Sequence, residues 1–107
     1  MIDNWKQLTV YTSESTRWQH KPLHLAILEL ARKEGISGAI VTRGIEGFGP
    51  HHALQTTNVL ALASDLPIEI RIIDRAVVIA AFLPLVKEIV TTGLITLEDI
   101  NVVYSSH

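Results

Sequence analysis

The stretch GAIVTRGIEGFGP, residues 38–50, sets Gly44, Gly47 and Gly49 closely around Phe48, directly after a strand-like run that ends on Arg43. Glycine loses more entropy on folding than any other residue, so the cluster costs stability unless the backbone turns there with positive φ or approaches something closely. Successive glycine amides also suit an anion, because unpaired N–H groups concentrate positive potential. Arg43, Arg17 and Lys21 can add charge to such a site. The chemistry in prospect is recognition of a small anion. Bond-breaking chemistry needs a nucleophile and base, or a paired acid and base, in one pocket. Glu14 with His20 is the available pair, and both read first as loop surface residues. A plain structural turn competes with the binding reading, since GxG pairs are common and an arginine at a strand end is ordinarily solvated.

Other residue types extend the inventory. The chain has 5 histidines, His20, His24, His51, His52 and His107. His51 and His52 are adjacent and project in different directions in an extended loop, and His20 precedes the helix that carries His24, so neither pair has clean ligand spacing. Solvated loop histidines are the first reading and a metal site the second. Trp18 reads as packing at an interface. Phe48, freed to turn by its flanking glycines, reads as an anchor set into the core.

The elements that must position these residues follow from periodicity. KQLTVYTS alternates as a half-buried strand, with Leu8 and Val10 on one side and Tyr11 on the other. After the polar SESTRWQHK, Pro22 opens a helix with Leu23, Ala26, Ile27, Leu30 and Ala31 on one face. Arg32, Lys33 and then Gly35 end it. GAIVTR is a second strand and PIEIRIID a third, with Ile68, Ile70 and Ile72 facing one way. Asp74 is placed to cap a second helix carrying Ile79, Phe82, Leu83, Val86 and Val90, with Pro84 inside it and Gly93 stopping it. GLITLED reads as a connection, and the β-branched INVVYS as the last strand.

The order is β-α-β-β-α-β, an α+β, ferredoxin-like βαββαβ sandwich in which both helices cover one sheet face. The opposite face, with Tyr11 and Ile73, has no helix to cover it. Strand directions then bring the Ser13–Lys21 loop, the helix-one N-terminus, the connection from Gly44 and the Thr91–Asp99 turn to one end. The connection between strands two and three is long for one without a functional reason, and residues Ile45–Thr57 within it read as mobile. NVLALA, later in it, reads as a short strand or turn of its own.

Composition bounds the function. The 107 residues fit a single domain, 1–107, and 48% hydrophobic content with 19% charged residues excludes disorder. A net charge of −2 disfavours nucleic acid. The absence of cysteine excludes disulfides and thiol chemistry and suits a reducing, cytoplasmic setting. MIDNWKQLTV lacks signal-peptide character, and the longest apolar run falls short of a membrane span.

GISGAIVTRGIEGFG, residues 35–49, resembles the end of helix one, strand two and the loop base of PII signalling proteins. Residues 6–104 resemble more closely the PII-like family known as domain of unknown function 190. The shared features are Glu14, the opening Lys21, Pro22 and Leu23, the GA-x-V-x-RG-x-x-GFG run, Ser64 to Pro67, and GLITLED. The resemblance implies a homotrimer with small-ligand clefts between subunits and no catalysis. No cofactor is expected, and no metal on the histidine spacing above; the resemblance implies a nucleotide or other small anionic metabolite as ligand. It further implies a loop that reports ligand state to a partner such as a membrane transporter or other regulated protein. Glu14, Arg17, Arg43, Gly44, Gly47, Phe48, Gly49 and Gly93 are the candidate ligand-binding residues. TTGLITLED stands where PII proteins carry a glycine-rich, lysine-containing turn, which points to adenine-type ligands of lower charge or to another small anion. The alternative is a divalent-metal-responsive trimer of the CutA kind, and a third reading is a structural trimer without ligand.

Overall fold

The computed structural model describes residues 4–48, 55–56 and 65–106. Its elements run β1 (Trp5–Ser13), β2 (Arg17–Trp18), β3 (Lys21–Pro22), α1 (Leu23–Lys33), β4 (Gly38–Arg43), β5 (Glu46–Gly47), β6 (Gln55–Thr56), β7 (Pro67–Arg75), α2 (Ala76–Ile89) and β8 (Leu94–Ile100). The main sheet has the order β4-β7-β1-β8, antiparallel throughout. With α1 and α2 it makes the α+β arrangement expected from the sequence.

Cross-strand register fixes the two faces. Leu8 stands opposite Ile72 and Leu97, and Val10 opposite Ile70 and Ile95. Leu8, Val10, Ile68, Ile70 and Ile72 are buried with Leu23, Ile27 and Ala31 of α1 and Ile79, Phe82 and Val86 of α2. Both helices therefore cover the same face. Each fully buried aliphatic side chain contributes roughly 1.5–3 kcal/mol, so this layer dominates the driving force for folding.

The last strand differs from the sequence expectation. It is LITLEDI that pairs with β1, from Leu94 opposite Tyr11 to Ile100 opposite Trp5. INVVYS is not a strand beyond Ile100, and Val103 and Tyr104 are exposed. The reason is register: a strand that starts straight after Gly93 reaches the far end of β1 at Ile100, and among the described residues no strand pairs with Asn101 onward. Glu98 and Asp99 accordingly lie within β8 and not in a turn. Glu98 accepts a hydrogen bond from Gln7 Nε2 at 3.2 Å, and Asp99 pairs with Lys6 at 3.2 Å.

Helix ends carry further corrections. Asp74 does not cap α2, whose N-cap is Arg75. The Asp74 carboxylate is buried and accepts from the Ser37 N–H at 2.9 Å and the Arg75 N–H at 2.7 Å, joining the start of β4 to the end of β7. Pro84 lies inside α2 as read, but the helix ends at Ile89, with the Val90 N–H bonded to the Val86 carbonyl. Gly93 turns the chain into β8 instead. Pro22 is the N-cap of α1, just ahead of its first residue. The polar stretch before α1 also holds a small hairpin, Arg17–Trp18 against Lys21–Pro22, which its composition did not reveal. Trp18 of this hairpin is half-buried against the chain's own core.

Candidate functional site

At one end of the sheet Ser13 meets Pro67, Arg43 meets Ile68 and Leu94 meets Tyr11. The uncovered face there floors a cleft of about 680 Å³, with Tyr11, Thr42, Glu69 and Leu94 beneath it. Gly44, Glu46, Gly47 and Phe48 line it after β4, Asp65 and Pro67 before and at the start of β7, and Thr92 and Gly93 before β8. Its lining combines Tyr11, Phe48, Pro67 and Leu94 with the hydroxyl-bearing residues Ser13, Thr16, Thr42 and Thr92. Such a mixture suits a flat ring with polar edges.

Of the two reasons expected for the glycines after β4, positive φ and close approach, the second holds at Gly44 and Gly47. Among the described glycines only Gly35 and Gly93 have positive φ. A Cβ on Gly44 would stand 2.9 Å from Pro67 Cγ, and one on Gly47 would stand 3.3 Å from the same atom. Close approach to the Pro67 ring, not a left-handed turn, crowds a side chain at Gly44 and, less tightly, at Gly47. The Gly44 amide is also spent within the protein, donating to the Pro67 carbonyl at 2.8 Å. Gly93, at φ +141°, has both reasons, since a Cβ there would meet the Tyr11 carbonyl oxygen at 2.5 Å. Its bare backbone lets β8 start against β1.

Arg43 is the one cation among the described residues that line the cleft, against the acids Glu46, Asp65 and Glu69. Its Nη1 donates to Glu14 Oε2 at 2.8 Å. Glu14 Oε1 accepts in turn from the Leu66 N–H at 3.1 Å. These donors, the Arg43 guanidinium first and the Leu66 amide second, hold the Glu14 carboxyl below its ordinary pKa.

Of the sequence candidates, Arg43, Gly44, Gly47, Phe48 and Gly93 converge on this cleft, and Glu14 reaches it through Arg43. Phe48 is not a core anchor: it is 65% exposed and lines the cleft. Arg17 is not among the lining residues, and its Nη2 donates to the His20 carbonyl at 3.1 Å. The start of α1 is likewise outside the lining, with the Leu23 N–H bonded to the Thr16 carbonyl at 2.9 Å. Of the Thr91–Asp99 segment, Thr92, Gly93 and Leu94 reach the cleft. Gly49, His51, His52, NVLALA and most of the stretch read as mobile lie outside the described residues. Among the described residues no group of His, Cys, Asp and Glu is arranged to hold a metal ion. Tyr11, Thr42 and Glu69 were missed as lining residues. The signal was available: alternation puts Tyr11 on the uncovered face, and register puts Glu69 beside it.

Among the described residues, no helix is long and apolar enough to cross a membrane. Solved structures of CPII from Thiomonas intermedia K12 share the fold. One, bound to ADP and bicarbonate, superposes with a TM-score of 0.60 at 16% identity over 92% of this chain and 88% of the other. A second, described as a nitrogen regulatory PII-like protein bound to ADP, AMP and bicarbonate, gives 0.62 at 16% identity over the same shares, 92% and 88%. In sequence, the chain is 38% identical to a UPF0166 protein of Aquifex aeolicus (strain VF5) over 92% of its length and 93% of the relative's. It is 31% identical to a UPF0166 protein of Methanocaldococcus jannaschii, over 91% and 90% respectively. The family profile of domain of unknown function 190, described as an uncharacterized ACR, matches residues 5–102, and with that coverage the chain belongs to this family.

Proposed function

We propose that this chain is a non-catalytic, PII-like regulatory protein that acts as a homotrimer in the cytoplasm, with residues 1–107 as its single domain. In this reading the cleft, completed by a neighbouring subunit, binds a small anionic or nucleotide-like metabolite. The ligand state passes to a partner, a membrane transporter or other regulated protein, through the connection after β4. The observation that carries the reading is the cleft itself, which gathers Arg43, Gly44, Gly47, Phe48 and Gly93 from separate segments around one hollow. The ADP, AMP and bicarbonate named for the CPII structures support a nucleotide or small anion as the ligand class. The charge of the lining favours a ligand less charged than a triphosphate, because Arg43 is the one cation among the described lining residues and Glu46, Asp65 and Glu69 line the cleft as well. Tyr11, Ile40 and Leu94, exposed on the uncovered sheet face, supply apolar surface for a neighbouring subunit.

Light scattering coupled to size exclusion tests the assembly, with a trimer expected and a monomer at micromolar concentration overturning it. A thermal-shift screen of ADP, AMP, bicarbonate and divalent metals, followed by calorimetry, tests the ligand class. Stabilisation by a nucleotide or bicarbonate is expected. Stabilisation by metal alone would favour the metal-responsive alternative, and no response to any of them would favour a structural trimer.

A further inference from the structure

Glu14 fastens the chain leaving β4 to the chain approaching β7. Its Oε2 accepts from Arg43 at 2.8 Å, its Oε1 from the Leu66 N–H at 3.1 Å, and its own N–H donates to the Leu66 carbonyl at 2.9 Å. The Ser15 N–H adds a bond to Asp65 Oδ1 at 3.0 Å. One carboxylate thus receives both a guanidinium on the cleft wall and an amide next to Pro67. The two partners are unequally placed: the Arg43 side chain is 61% exposed and lines the cleft, whereas Glu14 is 23% exposed and is not part of the lining. An anion arriving in the cleft meets Arg43 as the one cation among the described lining residues, and finds it already engaged by a carboxylate.

We propose that Glu14 is a resident substitute for the ligand's anionic group, so that an anion binding in the cleft takes the Arg43 guanidinium from Glu14 and loosens the junction between Arg43 and Leu66. The proposal rests on the reading of the cleft as a nucleotide or anion site. Carboxylates, bicarbonate and phosphates all offer oxygens to the same guanidinium fork, which is the geometry an exchange requires. Linkage makes the two effects reciprocal: whatever the Glu14 contact contributes to holding the junction is subtracted from the affinity for the anion. The downward direction of the Glu14 pKa shift, caused first by the Arg43 guanidinium and second by the Leu66 amide, agrees with a carboxylate held by both groups.

The test combines calorimetry with ADP and amide hydrogen exchange at Leu66 in the parent, Glu14→Gln and Arg43→Gln. Glu14→Gln should bind ADP several-fold more tightly than the parent, and Arg43→Gln several-fold more weakly. Saturating ADP should speed Leu66 exchange in the parent, as should Arg43→Gln alone, and should change it less in Glu14→Gln, whose neutral side chain can still accept from the Leu66 N–H but holds Arg43 weakly. Glu14→Asp, which keeps the charge but shortens the reach to Arg43, should fall between parent and Glu14→Gln, and it serves alone if Glu14→Gln does not fold. Equal or weaker ADP binding by the Glu14 variants would overturn the exchange while leaving the nucleotide reading intact. If ADP binds none of the proteins, the nucleotide reading fails, and sulfate decides the exchange separately. Faster Leu66 exchange in sulfate would sustain it, and unchanged exchange would overturn it.

Discussion

The ring of Pro67 occupies the space that a side chain on Gly44 would need: a Cβ on Gly44 would lie 2.9 Å from Pro67 Cγ, while the Gly44 N–H is bonded to the Pro67 carbonyl at 2.8 Å. This contact sets the chain leaving β4 directly against the start of β7, and the cleft opens beside it. Overpacking of such a site costs about 1–3 kcal/mol. Gly44→Ala should therefore destabilise the protein by an amount in that range. Pro67→Ala removes the opposing ring, so the double variant should recover part of the loss. Urea unfolding of the full mutant cycle measures it, and strict additivity would show that the two residues do not oppose one another.

Gly93 and Gly38 make a contrasting pair. Gly93 has φ +141° and would place a Cβ 2.5 Å from the Tyr11 carbonyl oxygen, whereas a Cβ on Gly38 would meet nothing within 4 Å. Backbone strain of this kind costs of order 1–3 kcal/mol. Gly93→Ala should lower stability by at least roughly 2 kcal/mol on that scale, because the obstacle is a backbone atom of a central strand. Gly38→Ala should be neutral or stabilising by up to about 1 kcal/mol, through a less flexible unfolded chain. Thermal unfolding of both variants decides, and a tolerated Gly93→Ala would mean that β8 can move away from β1.

What the sequence disclosed depended on whether the deciding contact was local. Ile68, Ile70 and Ile72 alternate, and the same alternation is what buries them, so β7 was legible. For β8 the local signal misled. INVVYS is richer in β-branched residues than LITLEDI, but strand choice was settled by the extent of β1 and by the turn at Gly93. Asp74 before a helix has the look of a cap, and its partner at Ser37 is distant in sequence and so invisible to a local pattern. The glycines after Arg43 were conspicuous from composition alone. At Gly44 and Gly47 the cause, the ring of Pro67, lies across the long connection. Phe48 was read inward because its flanking glycines free the backbone to turn, whereas it stays exposed and lines the cleft.

The hairpin ahead of α1 turns through Gln19 at φ +46° and His20 at φ +68°. Two consecutive positive-φ residues between paired strands make the type I′ geometry, for which Asn-Gly is preferred. Neither Gln nor His suits it, and non-glycine residues held in this region carry strain. Replacing the pair by Asn-Gly should raise stability by about 1 kcal/mol, given that substitution to glycine at strained positions relieves of order 1–3 kcal/mol but adds unfolded-state entropy. The His20 carbonyl remains to accept from Arg17, so the hairpin register should persist. Differential scanning calorimetry of the double substitution checks it, and a lowered melting temperature would assign His20 or Gln19 a side-chain contribution larger than the strain.

The Glu14 clasp has a definite pH signature. Hydrogen bonds from the Arg43 guanidinium and then the Leu66 amide lower the folded-state pKa of Glu14 below its ordinary value. A group lowered in this way binds fewer protons in the folded than in the unfolded protein across the interval between the two pKa values, and stability there rises with pH. Its contribution is therefore fully present above the ordinary glutamate value and is lost as the pH falls through the folded one. Arg43→Gln removes the larger cause and should bring the Glu14 titration back up toward the ordinary range, leaving the Leu66 amide to hold it slightly low. Carbon-detected magnetic resonance of the Glu14 carboxyl group follows this directly. In parallel, the stability difference between parent and Glu14→Gln should be greatest near neutrality and shrink on acidification below the glutamate range. Added salt should shrink it as well, because Arg43 is largely exposed. A Glu14 titration that does not move in Arg43→Gln would show that the guanidinium contact contributes nothing in solution, and with it the competitor that the anion exchange requires would be gone.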